Sequence, residues 1–258
     1  IFAIYTVKTL RWHLLVTSIG ANATYRDSWR LFNIGIFLGT ITPARSGELL
    51  RAAYLRNTGI HGGTAVTLVL LERFADVAIT ACLAIGSVLL LFGKTAFFWT
   101  ASGTAAAGIA ALLLWRLSQK TIAETSWLQF LAELKRPRML AMLGGLTLIS
   151  WVLYFIWATL LARAVAIPTP IPALVAVLTI AGIIALLPIA PAGLGTRDLA
   201  LVTLLAPYGV PSEHAVALSL LMFLSILASS IPGGYILLTQ PSAQSRVDSK
   251  GARGDQGP

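Results

Sequence analysis

Long apolar runs alternate with short polar segments along the chain, and the runs set the expected architecture. A helix that crosses a bilayer needs about 20 mostly apolar residues. Four stretches reach that length, at residues 64–92, 95–115, 139–167 and 214–238. A fifth, residues 1–19, is also long enough, although Lys8 and Arg11 interrupt it. Arg11 and Trp12 are expected to be able to reach the membrane interface by snorkelling if this segment is tilted.

Two further apolar regions, residues 31–59 and 171–209, are broken in the middle by proline and glycine. Proline removes a backbone donor and glycine permits a sharp reversal, so each region predicts two half-helices of about 12 residues, about 18 Å long. Half-helices of that length cannot span a bilayer and are expected to form re-entrant hairpins. The predicted turns are marked by Pro43 and Gly47 in the first hairpin and by Pro191, Gly193 and Gly195 in the second.

Unwound backbone at membrane depth is tolerated only where it is buried in protein or lines a polar cavity. Two such turns therefore predict one shared internal site. The order of segments also predicts an inverted repeat, with a first unit at about 1–92, a linking helix at 95–115 and a second unit at about 139–238. Inverted repeats with discontinuous helices are the plan of many transporters. The fold class expected is an all-α polytopic membrane bundle with two re-entrant hairpins.

The composition supports a membrane protein and argues against a nucleic-acid partner. Hydrophobic residues make up 57% of the chain and charged residues 11%, whereas globular domains carry about 25% charged residues. The formal net charge is +9, but a basic excess also accumulates in the cytoplasmic loops of membrane proteins. The single cysteine, Cys82, excludes an internal disulfide and is expected to be a buried thiol.

The distribution of lysine and arginine predicts the orientation in the plasma (inner) membrane. The basic connection between residues 116 and 138 is placed in the cytoplasm, together with Arg26, Arg30 and Arg56. Lys94 and Arg163 then face the opposite side. Residues 1–238 are expected to form one membrane domain, and residues 239–258 a disordered cytoplasmic tail. Because the sequence begins at Ile1, a further N-terminal piece is expected to precede it.

Ionised side chains within the apolar regions mark the candidate site, because each charge at the bilayer centre costs about 2.5 to 3.5 kcal/mol on insertion scales. Spacings of three and four residues place several of them on shared helix faces. Their arginines could bind a lipid phosphate through two parallel hydrogen bonds. The alternative is that the charges form structural ion pairs that hold the hairpins together. The predicted site consists of Arg45, Glu48, Arg51, Glu72, Arg73, Asp76, Arg197 and Asp198.

Other site chemistries find little support in the sequence. His13, His61 and His214 are far apart and lack the spacing of metal ligands, so no metal is expected. The Gly193-x-Gly195 pair follows no predicted strand, so no nucleotide cofactor is expected either. No Ser/His/Asp or Cys/His set can be assembled for catalysis without assuming proximity.

Four motifs in a fixed order carry a family resemblance. They are the run from Asn33 to Arg51, the run from Leu71 to Asp76, the run from Pro191 to Asp198, and Pro232-Gly233-Gly234. Together they resemble the lysylphosphatidylglycerol synthase transmembrane-region family, which includes the flippase part of the multiple peptide resistance factor. The similarity extends to about Leu238.

The resemblance implies a bacterial or archaeal membrane protein that moves an anionic or aminoacylated phospholipid between leaflets. Membrane lipid is then the expected partner. The alternative is a membrane subunit that presents lipid to a transferase on another chain, such as a lysylphosphatidylglycerol synthase or a glycosyltransferase. The soluble transferase domain of bifunctional members lies outside the resemblance, so no catalytic activity is expected here. Whether a partner transferase or a second copy of the chain takes part stays open.

Overall fold

In a computed structural model of the chain, the described residues form helices joined by turns, and they contain no strand. The described ranges are 1–21, 23–42, 51–52, 55, 62–118, 137–185 and 195–239. The helices are α1 (Phe2–Ser18), α2 (Tyr25–Ile41), α3 (Gly62–Ser118), α4 (Pro137–Ala164), α5 (Ile171–Ala185), α6 (Thr196–Leu205) and α7 (Ser212–Thr239). A 3₁₀ turn, Ala206–Tyr208, follows α6. The expected all-α class is confirmed for this part of the chain.

Length and hydropathy qualify three helices of the described chain to cross a membrane. They are Thr64–Lys94 within α3, Met139–Ala164 within α4, and Ser212–Thr239. Helix α4 exposes an apolar stripe at successive steps of four residues, namely Leu148, Val152, Ile156 and Leu160. A stripe of large aliphatic side chains on the outer surface is suited to contact with lipid tails.

Cys82 is exposed on α3, so the expectation of a buried thiol is wrong. The prediction took an apolar sequence environment as a sign of burial within the protein. In a membrane helix, the outer surface is as apolar as the core. Hydrophobic neighbours along the sequence therefore do not tell the two positions apart.

Helix α2 begins at Tyr25, earlier than the half-helix that the sequence predicts from residue 31. A reciprocal cap explains the early start: the Asp27 N–H donates to Thr24 Oγ1, and the Thr24 N–H donates to the Asp27 carboxylate. At its other end, α2 stops at Ile41, and Thr42 is extended. The residue before a proline is biased toward this conformation, so the helix ends where the first turn is predicted.

The long helix α3 is interrupted at Gly93, whose φ of 80° and ψ of −174° are not helical. Only glycine adopts such angles without strain. The interruption lies where the sequence places the boundary between the segments at 64–92 and 95–115.

In the second broken region, α5 ends at Ala185 and α6 begins at Thr196, directly after Gly195 with a φ of 81°. Helix α6 has 10 residues and is about 15 Å long, too short to cross a bilayer alone. Residues 186–194, with Pro191 and Gly193, lie outside the described residues. Pro43 and Gly47 also lie outside them.

The buried apolar side chains form two clusters. One joins α1, α2 and the first part of α3 around Trp12, Phe32 and Leu68. The other joins α4 to α7 around Leu174, Leu201 and Leu218. Contacts between α1 and α4, α2 and α7, and α3 and α5 connect the first half of the chain to the second.

The α2–α7 contact is close because α7 carries glycine where it meets α2. A Cβ atom at Gly233 would overlap the Asn33 carbonyl oxygen, and one at Gly234 would lie 2.8 Å from Phe37 Cε2. The Pro232-Gly233-Gly234 motif therefore has a packing role: it lets the backbones of α2 and α7 approach.

Candidate functional site

Glu72 lies at the centre of a buried ionic network. Its Oε1 accepts a hydrogen bond from Arg11 Nη2 of α1 at 3.0 Å, and its Oε2 accepts one from Arg51 Nη1 at 3.0 Å. All three side chains are no more than 3% exposed. Each carboxylate oxygen is thus held by a different arginine, so Glu72 connects α1 and the segment that contains Arg51 to α3.

Asp76, one turn further along α3, extends the network. Arg11 donates to it from Nη1 at 2.7 Å and from Nη2 at 3.2 Å, and Lys8 donates from Nζ at 3.1 Å. Arg11 Nη1 also donates to Thr147 Oγ1 of α4 at 2.9 Å. Arg11 therefore ties α1 to both α3 and α4. The five residues Lys8, Arg11, Arg51, Glu72 and Asp76 are called the charged cluster below.

Aromatic rings accommodate the buried Arg51. Its guanidinium carbon lies 4.9 Å from the ring centre of Trp12 and 5.1 Å from that of Phe32. A Cβ atom at Gly35 would come within 3.0 Å of Arg51 Cδ and Nε, so the side chain passes directly over α2. Cation–π attraction and the Glu72 carboxylate together offset the cost of removing this charge from water.

The charged cluster lies deep within its helices. Arg11 is seven residues before the end of α1 at Ser18, about 10 Å along the helix. Glu72 is ten residues after the start of α3 at Gly62, about 15 Å along it. Since the hydrocarbon core of a bilayer is about 30 Å thick, these groups lie far from the helix ends. At such depth, ionised groups are expected to pair with one another or to face a wet cavity.

The structure brings together three of the eight predicted site residues, Arg51, Glu72 and Asp76. Arg73 is partly exposed on α3, next to Glu72 along the chain. Arg45 and Glu48 lie outside the described residues. That all eight line one cavity stays a prediction.

Sequence reasoning missed Lys8 and Arg11. The expectation that Arg11 and Trp12 reach the interface is wrong, because Arg11 is 2% exposed and Trp12 is fully buried. Two carboxylates of α3 are within reach of Arg11, and pairing with them replaces the water it would find at the interface. The available signal was the spacing of three between Lys8 and Arg11, which puts both cations on one face of an otherwise apolar helix.

Arg197 and Asp198 fix the start of α6 against α7. Arg197 donates from Nε to Ser219 Oγ at 2.9 Å and from Nη2 to the Ser219 carbonyl at 3.1 Å. The Ser219 hydroxyl donates to Asp198, and the Gly195 N–H donates to the same carboxylate at 3.2 Å. Arg197 at the start of α6 thus bonds the next helix, α7, as Arg51 bonds Glu72 of α3.

Metal chemistry has no candidate among the residues described: no group of three or more His, Cys, Asp and Glu side chains in those ranges could hold an ion. What the charged cluster offers is a set of nitrogen donors and carboxylates inside a membrane protein. Such a set suits the binding of an ion or a charged headgroup.

The fold and the cluster define an integral membrane protein with ion-paired charges between its helices. The chain belongs to the family described as the lysylphosphatidylglycerol synthase TM region, whose sequence profile matches residues 1–233. The resemblance drawn from the four motifs is therefore confirmed.

Two archaeal relatives are similar to this chain. A UPF0104 membrane protein of Methanothermobacter thermautotrophicus is 24% identical over 255 residues, covering 84% of this chain and 74% of the relative. The UPF0104 membrane protein MJ1595 of Methanocaldococcus jannaschii is 33% identical over 76 residues, covering 28% of this chain and 23% of that protein. The chain thus matches under a quarter of the second relative's length. No solved structure matches significantly.

Proposed function

We propose that the protein is a lipid flippase or related transporter, which moves a polar or aminoacylated headgroup and its anionic phosphate between the two leaflets. The observation that carries the proposal is the charged cluster, where Glu72 is held between two arginines. Replacing such buried ion pairs by apolar residues often leaves a protein equally stable or more stable. Stability alone is therefore a weak reason for a membrane protein to keep the cluster, whereas contact with a charged headgroup would give it a role.

The broken helices support the same proposal. Helix α2 ends at Ile41 just before Pro43, and α5 and α6 are both too short to span, as expected for two hairpins around an internal site. In the proposed inverted repeat, α1, α2 and α3 correspond to α4, α5 and α7. Under this correspondence, the α2–α7 contact of one unit matches the α5–α3 contact of the other, and the α1–α4 contact matches itself. All three contacts are present. Such reciprocal packing favours transport by movement of one unit against the other.

A second candidate is a membrane subunit that presents lipid to a transferase on another chain. It is favoured by the family description, which names the membrane region of a synthase. The two candidates differ in what the protein does alone: a flippase translocates lipid by itself, whereas a presenting subunit is inert without its transferase.

The test is headgroup translocation by the purified protein in liposomes. Lysylphosphatidylglycerol, phosphatidylglycerol and phosphatidylcholine would each be followed by a membrane-impermeant reagent specific for the headgroup. We expect protein-dependent translocation of at least one of the two phosphatidylglycerol lipids, and slower or no translocation of the phosphatidylcholine control. Rates equal to those of protein-free liposomes for all three lipids would contradict the flippase and favour the presenting subunit.

The proposed topology makes a separate prediction. Cysteines introduced at Arg26 and Arg136 should be labelled from the cytoplasmic side, and one at Lys94 from the opposite side. Because Cys82 is exposed, the labelling requires a Cys82→Ala background. Labelling of positions 94 and 136 from the same side would show that the predicted orientation is wrong.

A further inference from the structure

The charged cluster is sealed at one end and open at the other. The Arg11, Arg51 and Glu72 side chains are only 2–3% exposed. Exposure rises to 14% at Asp76 and to 26% at Lys8. A ligand can therefore approach the cluster at Lys8 and Asp76, whereas the Glu72 end is closed by packed side chains.

Lys8 also has unused capacity to donate hydrogen bonds. Its ammonium group carries three N–H donors, and one of them reaches Asp76 Oδ2. Within the described residues, no other acceptor is bonded to Lys8 Nζ. Donors without acceptors in a low-dielectric setting favour an incoming oxyanion.

The open end of the cluster favours an anion over a cation. Among the described residues, Lys8 and Arg11 both donate to the one carboxylate of Asp76. An anionic phospholipid headgroup offers phosphate oxygens to such donors.

We propose that Lys8 is the residue that contacts the lipid phosphate, that the ligand is an anionic phospholipid, and that Arg11, held by Glu72 and Asp76, positions this contact. The inference rests on the proposed function and makes it specific. The sequence predicts that arginines contact the headgroup, whereas the contact proposed here is made by a lysine at the edge of the cluster. Lysine suits a ligand that must also leave, because its ammonium is a single flexible charge, whereas arginine binds as a rigid fork.

The experiment measures phosphatidylglycerol binding by the full chain in phosphatidylcholine nanodiscs, through titration with a fluorescent phosphatidylglycerol. Lys8→Gln should raise the dissociation constant about tenfold, the factor for one charge-assisted hydrogen bond, while Lys8→Arg should stay within about threefold. Lys94→Gln is the matched control, since Lys94 is an exposed cation of α3 outside the cluster. An unchanged constant in Lys8→Gln, or an equal loss in Lys94→Gln, would overturn the proposal.

Two further measurements test the Lys8 contact independently and distinguish a lipid ligand from free phosphate. The wild type gives a second measurement: a phosphatidylglycerol with a photoreactive headgroup should cross-link to α1 at or next to Lys8. Cross-linking confined to other helices would contradict the proposal, even if Lys8→Gln failed to fold. Inorganic phosphate should not displace the lipid at millimolar concentration. Displacement would mark a free-phosphate site and overturn the lipid assignment.

The outcome is also separable from that of the translocation assay. Lys8-dependent binding without translocation would support the Lys8 contact and contradict the flippase. Translocation that is unaffected by Lys8→Gln would support the flippase and contradict the Lys8 contact.

Discussion

Replacing Glu72 by glutamine is expected to destabilise the folded protein by about 3 to 5 kcal/mol, the cost of removing one partner from a buried ion pair. Arg11 and Arg51 each bond one oxygen of this carboxylate, and both are 2% exposed. A glutamine side chain of similar shape carries no charge and offers only one accepting oxygen. Thermal unfolding in detergent would measure the loss. The matched control is Glu213→Gln in the first turn of α7, where the side chain is exposed.

A second substitution separates the ion pair from general damage. In the double variant Glu72→Gln/Arg51→Gln, one of the two arginines that bond Glu72 is removed as well, so part of the lost stability should return. Arg11 remains paired with Asp76 at 2.7 Å and should keep α1 on α3. A double variant less stable than Glu72→Gln alone would show that Arg51 contributes through its contacts with Trp12 and Phe32 more than through Glu72.

Substituting Gly233 by alanine is the second change with a large expected effect. The new Cβ atom would overlap the Asn33 carbonyl oxygen, and a backbone atom of α2 can move aside only if the helix moves with it. Overpacking of a closely fitted interior costs about 1 to 3 kcal/mol, so the unfolding temperature should fall clearly. Gly144→Ala in α4 is the control, because no neighbouring atom lies within 4 Å of its added Cβ. Equal stability of both variants would contradict the close α2–α7 contact.

The sequence predicts the helical class and most helix ends from local signals. The apolar run from 139 to 167 becomes α4, and that from 214 to 238 becomes α7. Proline and glycine mark the end of α2 and the start of α6. The start of α2 was misplaced because the apolar run begins at residue 31, whereas the helix begins where Thr24 and Asp27 cap it. Capping residues, rather than hydrophobicity, determine that end.

The candidate site was predictable only in part. Glu72 and Asp76 could be recognised because acidic groups in an apolar helix require partners. Their partner Arg11 could not, because a cation near a helix end has two low-energy options, the interface and a buried carboxylate, and only the packing of α1 against α3 and α4 decides between them. Ser219 gave no signal either, since a single serine in a membrane helix commonly bonds its own backbone.

The most direct test of a transport role for the charged cluster is lipid translocation by the Glu72→Gln/Arg51→Gln double variant, measured in liposomes at matched amounts of folded protein. If the cluster carries the headgroup, translocation should fall clearly even though the protein is folded, because Arg51 holds Glu72 and Glu72 holds Arg11 beside Lys8. Wild-type translocation by this variant would contradict the proposal and leave the cluster with a structural role alone.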